Sequence, residues 1–240
     1  MIAQYVSGLG IAVYAWLRYP RIRCLRSLRV RRSCVREVAG FSLLTCVQQS
    51  VMNLGILMVQ GLVNSFGSTV MAAFAAAVKI DAFAYMPVQD FGNAFSTFIA
   101  QNYGARRHDR IRSGLKGAIL ASTGFSIAVS ILVCAFARPL MGLFVEATEL
   151  EIIAEGAFYC GIGCLFLLYG LYRALGRPGM SVVLTVISLG TRVALAYALS
   201  AIPAIGVTGI WWSVPIGWAL ADLTGLLYYI LRRERLLSRA

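Results

Sequence analysis

The chain has 240 residues, of which 59% are hydrophobic and 13% charged, and its formal net charge is +12. Soluble domains average about 45–50% apolar and about 25% charged residues, and the mean hydropathy here is +0.76. An ordinary water-soluble domain is therefore excluded, and the composition is that of an all-α polytopic membrane protein.

Residues 1–19 are apolar from the first position, with charge only afterwards. A secretory signal has its basic stretch first, so this segment is expected to be a transmembrane helix with the following arginines held on the cytoplasmic side. Residues 20–39 form the expected basic cytoplasmic loop. Eight arginines lie between Arg18 and Arg36. They lack the aromatic interleaving of a nucleic-acid surface, so no nucleic-acid partner is expected.

Six further spans are expected over 40–64, 69–103, 113–137, 150–172, 179–201 and 206–231, followed by a cytoplasmic tail at 232–240. Runs such as 41–63 and 117–137 carry no charge and exceed the roughly 18 residues that cross a bilayer. If the sides alternate from a cytoplasmic 18–36, the cytoplasmic segments hold eight, five, two and four basic residues, 19 of the chain's 22. Such a bias is the signature of the cytoplasmic face of a multi-pass protein, here of a bacterial-type cell membrane.

Six cysteines (Cys24, Cys34, Cys46, Cys134, Cys160, Cys164) form no CxxC pair, and neither a disulfide framework nor a metal site follows. The single histidine, His108, lies in a basic loop. With no Ser/His/Asp set and no GxxxxGK[ST] phosphate loop, no enzyme activity or bound cofactor is expected. Active transport would have to draw on an ion gradient.

What remains is charge inside the spans: Lys79, Asp81, Asp90, Arg192 and Asp222. Each costs about 2.5–3.5 kcal/mol at a helix centre and marks a pathway or a buried pair. At 100° per residue, Asp90, Asn93, Thr97, Gln101 and Lys79 share one face of the third span, and Asp81 points roughly opposite unless Pro87 rotates the halves. Lys79, Asp81, Asp90 and Gln101 are expected to line a substrate or ion pathway, and Asn93 and Thr97 to bond to neighbouring helices. Gln49, Asn53, Gln60 and Asn64 share a face of the second span, and Gln49 and Asn53 join the candidate pathway. Arg192 and Asp222 lie at depths of about 20 and 14 Å on adjacent helices and are expected to form a structural ion pair. Trp211, Trp212, Tyr228 and Tyr229 near the ends of the last span read as interfacial anchors.

Several short patterns occur in order. Val63-Asn64-Ser65-Phe66-Gly67 precedes an Ala-rich helix, followed by Lys79-Ile80-Asp81, Pro87 and Ala100-Gln101-Asn102-Tyr103-Gly104-Ala105 before a basic loop. Tyr172-Arg173-Ala174-Leu175-Gly176, Arg192 and Gly206-Val207-Thr208-Gly209-Ile210-Trp211 follow. Over essentially its whole length the chain resembles the C-terminal half of a multidrug and toxic compound extrusion (MATE) transporter. The resemblance implies one six-helix MATE-type lobe plus one preceding transmembrane helix, which looks like the family's sixth.

It also implies a lobe of a secondary active multidrug or organic-cation efflux antiporter driven by H⁺ or Na⁺. Such a lobe would be incomplete without an N-terminal lobe or a second copy, with amphipathic or cationic small molecules and the bilayer as partners. One subgroup of the family places a carboxylate on the helix that corresponds to 40–64, where this chain has only amides. An alternative reading is a non-transporting truncated membrane remnant. A lipid-linked oligosaccharide flippase is a third, although its cleft should be more cationic than Lys79 and Arg192 would make it.

Overall fold

The structure is a computed structural model that describes residues 2–19, 31–136 and 158–237. Seven helices are described: α1 (Ile2–Arg18), α2 (Arg32–Asn64), α3 (Ser68–Gly104), α4 (His108–Ala135), α5 (Tyr159–Ala174), α6 (Pro178–Ser200) and α7 (Thr208–Leu237). They follow the expected spans, but three helices run further into the basic segments: α2 begins at Arg32, so 32–39 of the expected 20–39 loop is helical, α4 begins at His108, inside the expected loop, and α7 continues to Leu237 in the expected 232–240 tail. Cys24, Arg138, Glu146, Glu149, Glu151 and Glu155 lie outside the described residues.

Close contacts divide the chain into Met1–Ser42 and Leu43–Ala240. In the first unit, the large apolar side chains of α1, Leu9, Ile11 and Leu17 among them, are exposed. Such a surface suits a helix bathed in lipid. The second unit carries the six-helix bundle. Among the described residues four helical segments, Arg32–Asn64 (which runs from the first unit into the second), His108–Ala135, Pro178–Ser200 and Thr208–Arg232, are long and apolar enough to cross a membrane. α3 has the length, about 55 Å for its 37 residues, but Lys79, Asp81 and Asp90 interrupt its apolar run. α5 has the composition but only 16 described residues.

α5 is the axis of the bundle. Its sequence, YCGIGCLFLLYGLYRA, has no polar face, and every residue from Leu165 to Tyr172 is buried. In a membrane a helix apolar on all sides can face lipid or protein, and here α3, α4, α6 and α7 all pack against it. Because lipid is as apolar as a leucine side chain, close packing of small residues drives helix association in a membrane. At the α3–α5 crossing, a Cβ on Gly170 would lie 2.5 Å from the Gly92 carbonyl oxygen, and one on Gly92 would lie 2.9 Å from the Phe166 oxygen. Only the two glycines let these backbones touch. The Tyr172 hydroxyl adds a buried bond of 2.6 Å to the Gly225 carbonyl, fastening α5 to α7.

A second apolar cluster closes the other end of the bundle, where Val59 and Val63 of α2 meet Phe74 of α3, Ala196 of α6 and Ile210 and Trp211 of α7. The α3–α4 and α5–α6 turns end their helices in the same way. Arg106 and Gly176 take left-handed φ values of 55° and 70°, and Arg107 N–H and Arg177 N–H reach back to the carbonyls of Asn102 and Tyr172. Both are Schellman caps.

Replacing Gly170 by valine is expected to force α3 away from α5 and to destabilise the bundle by about 1–3 kcal/mol or more. Gly117→Val, at a site with nothing within 4 Å, should leave stability nearly unchanged. Thermal unfolding in detergent compares the two, and equal effects would contradict the close crossing.

Candidate functional site

Between the α3–α5 crossing and the apolar end cluster, the helices of the Leu43–Ala240 unit diverge around a cavity of about 270 Å³. α3 supplies one wall through Phe74, Ala77, Val78, Asp81, Tyr85 and Gln89. The steps of three or four residues keep most of these side chains on one helix face. α5 supplies Ile162, Leu165, Phe166 and Tyr169, and α6 supplies Ser188, Leu189 and Arg192. Trp211 and Trp218 of α7 close the back, and Gln49, Met52, Asn53 and Ile56 of α2 line the side where Gln49 and Asn53 are exposed.

The lining is aromatic and interlocked. Phe74 stacks on Trp211 with ring centroids 5.7 Å apart, Tyr85 stacks on Phe166 at 6.4 Å, and Phe166 meets Tyr169 edge-on at 6.0 Å. Rings that brace one another hold flat apolar walls without filling the space between them. Trp211 is 5% exposed, so it is a cavity wall rather than the interfacial anchor that its position near a helix end suggested. Tyr228 packs against Tyr172.

Two charged side chains line this space. Asp81, half-buried on α3, accepts a hydrogen bond from the hydroxyl of Tyr159, which is 3% exposed at the start of α5. Arg192 comes from α6, opposite Gly217 of α7, where a Cβ would lie 2.5 Å from the Ser188 carbonyl oxygen and 3.5 Å from the Arg192 Cβ. The close α6–α7 approach at that glycine places Arg192 at the cavity.

Of the residues expected to line a pathway, Asp81, Gln49 and Asn53 do line the cavity, and Arg192 joins them. Lys79, Asp90 and Gln101 do not. They sit on the opposite face of α3 and are exposed. The helical repeat gives the angle between Asp81 and the Lys79 stripe, but not which of the two faces looks inward. The inward face is the one that also carries Gly92, Phe95 and Ile99, whose packing turns Asp81 with it.

Asn93 bonds to a neighbouring helix as expected, whereas Thr97 bonds to the backbone of its own helix. Asn93 Oδ1 accepts from Arg173 at 3.2 Å, and the Thr97 hydroxyl donates to the Asn93 carbonyl at 3.3 Å. Asp222 faces α5, where it lies beside Cys164 and Gly161, and its Oδ1 has no hydrogen-bond partner. Neither of these neighbours is Arg192, the partner expected from depth. Matching depth on two helices says nothing about which way each side chain turns.

Tyr159, Gln89 and the tryptophan wall carry no sequence signal of their own. A tyrosine or tryptophan in an apolar span reads as packing. Only the meeting of α5 with α3 shows that Tyr159 serves the carboxylate. Tyr159→Phe is expected to lower stability by about 1.5–3 kcal/mol, the range for a hydrogen bond to a charged group. In an Asp81→Asn background the same change should cost less than about 1 kcal/mol. A double-mutant cycle of thermal unfolding reads this coupling, and equal costs in both backgrounds would contradict it.

The MatE family model matches residues 43–198. The probable multidrug resistance protein YoeA of Bacillus subtilis is 25% identical over 240 residues, covering 95% of this chain and 52% of that protein. The probable multidrug resistance protein NorM of Thermotoga maritima is 20% identical over 219 residues, covering 88% and 47%. The chain therefore spans about half the length of the curated relatives it matches. A crystal structure of a MATE protein in its bent conformation superposes with a TM-score of 0.86 at 18% identity, over 96% of this chain and 53% of that one. A MOP superfamily transporter from Pyrococcus furiosus gives 0.85 at 19% identity, over 94% and 53%. At such identities these structures show the fold, while the match over 43–198 shows the family: this chain belongs to the MATE family of multi-pass membrane transporters.

Proposed function

We propose that the chain is one lobe of a secondary active multidrug efflux antiporter, exchanging amphipathic or cationic molecules for H⁺ or Na⁺. The observation that carries this reading is the aromatic-walled cavity with one carboxylate, Asp81, opening beside the exposed amides Gln49 and Asn53 of α2. Aromatic faces and a carboxylate together suit an apolar body bearing positive charge. Asp81 is also the group that a coupling cation would compete for, since one carboxylate cannot serve substrate and H⁺ or Na⁺ at once. The names of the relatives, probable multidrug resistance proteins, support the substrate class.

The exposed stripe of Lys79, Asp90 and Gln101 would be costly against lipid. In this reading it faces a companion lobe, either of N-terminal type or a second copy, with an aqueous route between them. A membrane remnant without transport is the alternative, in which the same charges have no route to line.

The test is gradient-driven dye exchange in proteoliposomes that contain the chain at a density permitting pairing. An imposed H⁺ or Na⁺ gradient should drive ethidium exchange. Asp81→Asn should reduce it at least tenfold, while Asp109→Asn, at the exposed start of α4, should leave it within about twofold. Exchange unaffected by Asp81→Asn would remove that carboxylate from the mechanism. No exchange in the unmodified chain would contradict self-sufficient transport by paired copies.

A further inference from the structure

A second pocket lies on another face of α3. Pro87, Val88 and Phe91 of α3 and Ala121, Ser122 and Phe125 of α4 enclose about 190 Å³. None of these residues lines the Asp81 cavity. Pro87, Phe91, Ala121 and Phe125 are exposed, so the pocket opens on the outer surface of the bundle, near the middle of α4.

Its lining contains one polar side chain, and that side chain is unsatisfied. Ser122 is 5% exposed, and its hydroxyl has no hydrogen-bond partner. A serine or threonine inside a helix commonly returns its hydroxyl to the carbonyl four residues back, as Thr97, Thr185 and Thr224 do. Ser122 does not, and an orphaned buried hydroxyl is costly. Its oxygen lies against α5 at Gly163, where a Cβ would stand 3.0 Å from it. Since no hydrogen bond holds it there, a step about χ1 to another staggered rotamer turns it toward the pocket without breaking one.

We propose that this pocket binds neutral alkylphenols taken up from the bilayer, with the phenol hydroxyl on Ser122 and the ring against Phe91 and Phe125. Size sets the scaffold: an apolar cavity of about 150 Å³ takes up benzene, so a pocket of about 190 Å³ admits a benzene ring with short alkyl groups. Charge excludes ionised ligands, because no lining side chain is ionisable and an unpaired charge in an apolar site is prohibitive. A phenol, with a pKa of about 10, is neutral at pH 7. Its hydroxyl both donates and accepts, which matches a serine, and away from water that bond is stronger than in solution. The two phenylalanines supply ring contacts beyond simple burial. The site is independent of the reading given to the Asp81 cavity.

The test is equilibrium dialysis of the full chain in lipid nanodiscs at pH 7 with radiolabelled thymol or p-cymene, which is thymol without its hydroxyl. Binding is read as the saturable excess over protein-free discs at equal mole fraction of probe in the lipid. Thymol is expected to bind about fivefold or more tightly than p-cymene, the scale of one net hydrogen bond. Ser122→Ala should bring thymol down to the level of p-cymene and leave p-cymene unchanged. Ala121→Leu, which fills the pocket, should abolish the binding of both. Leu120→Phe, on the exposed surface beside it, should alter neither. Excess ethidium should not displace thymol. If Ser122→Ala does not fold, the ratio of thymol to p-cymene in the unmodified chain decides alone. Equal binding of the two probes would overturn the proposal, and so would thymol binding that survives Ala121→Leu or is displaced by ethidium. The absence of saturable binding by either probe would overturn it as well.

Discussion

A carboxylate inside an apolar helix bundle is tolerated only with a donor at hand, and at Asp81 the donor is the hydroxyl of Tyr159. Isolated, such a group costs several kcal/mol; bonded, it is held in place at the cavity wall. The position of Tyr159 follows from α5, which α3, α4, α6 and α7 surround. The pair thus depends on α5 being held against α3, and that in turn depends on Gly92 and Gly170, whose missing side chains let the two backbones meet. The cavity lies beyond this contact, where α3 has passed Pro87 and the helices spread apart. Packing at the crossing and the charge beside it are parts of one arrangement.

The same economy of small residues places the opposite charge. Gly217 lets α7 lie against the Ser188 backbone of α6, and the Arg192 side chain, one turn along, is delivered to the cavity wall. The cavity that both charges line is walled by rings already packed on one another, which keeps them from turning inward to fill the space. An open volume in a membrane protein interior survives only when its walls are braced in this way. The mouth lies along α2, where exposed amides replace the apolar residues that a lipid-facing helix would carry.

Much of this was legible in the sequence, for physical reasons that can be named. The spans could be read because apolar runs longer than a bilayer core leave no alternative, and their order because basic residues collect on alternate loops. Asp81, Gln49 and Asn53 could be picked out because polar groups in such spans are costly and therefore conspicuous. The inward face of α3 could not. A helical repeat relates Lys79, Asp90 and Gln101 to one another and sets them opposite Asp81, yet it holds no information on which side meets α5. Tyr159 and Trp211 were hidden by their own chemistry, since an aromatic residue in an apolar span looks the same whether it packs, anchors or donates. For Asp222, a depth within a turn or so of Arg192 on an adjacent helix suggested a pair, while the structure places the carboxylate beside Cys164 and Gly161 of α5.

The central claim is that the space beside Asp81 is an aqueous, ligand-binding route and not a lipid-filled crevice. Cysteine accessibility tests it most directly, in a background where the native cysteines are replaced. Asn53→Cys at the cavity mouth and Leu120→Cys on the exposed apolar surface of α4, where the leucine is 77% exposed, are each treated in liposomes with a charged, membrane-impermeant maleimide. The account predicts rapid labelling at position 53, slowed by a bound aromatic ligand, and almost none at position 120. Labelling at position 53 as slow as at position 120 would mean that lipid covers the mouth, and would contradict it.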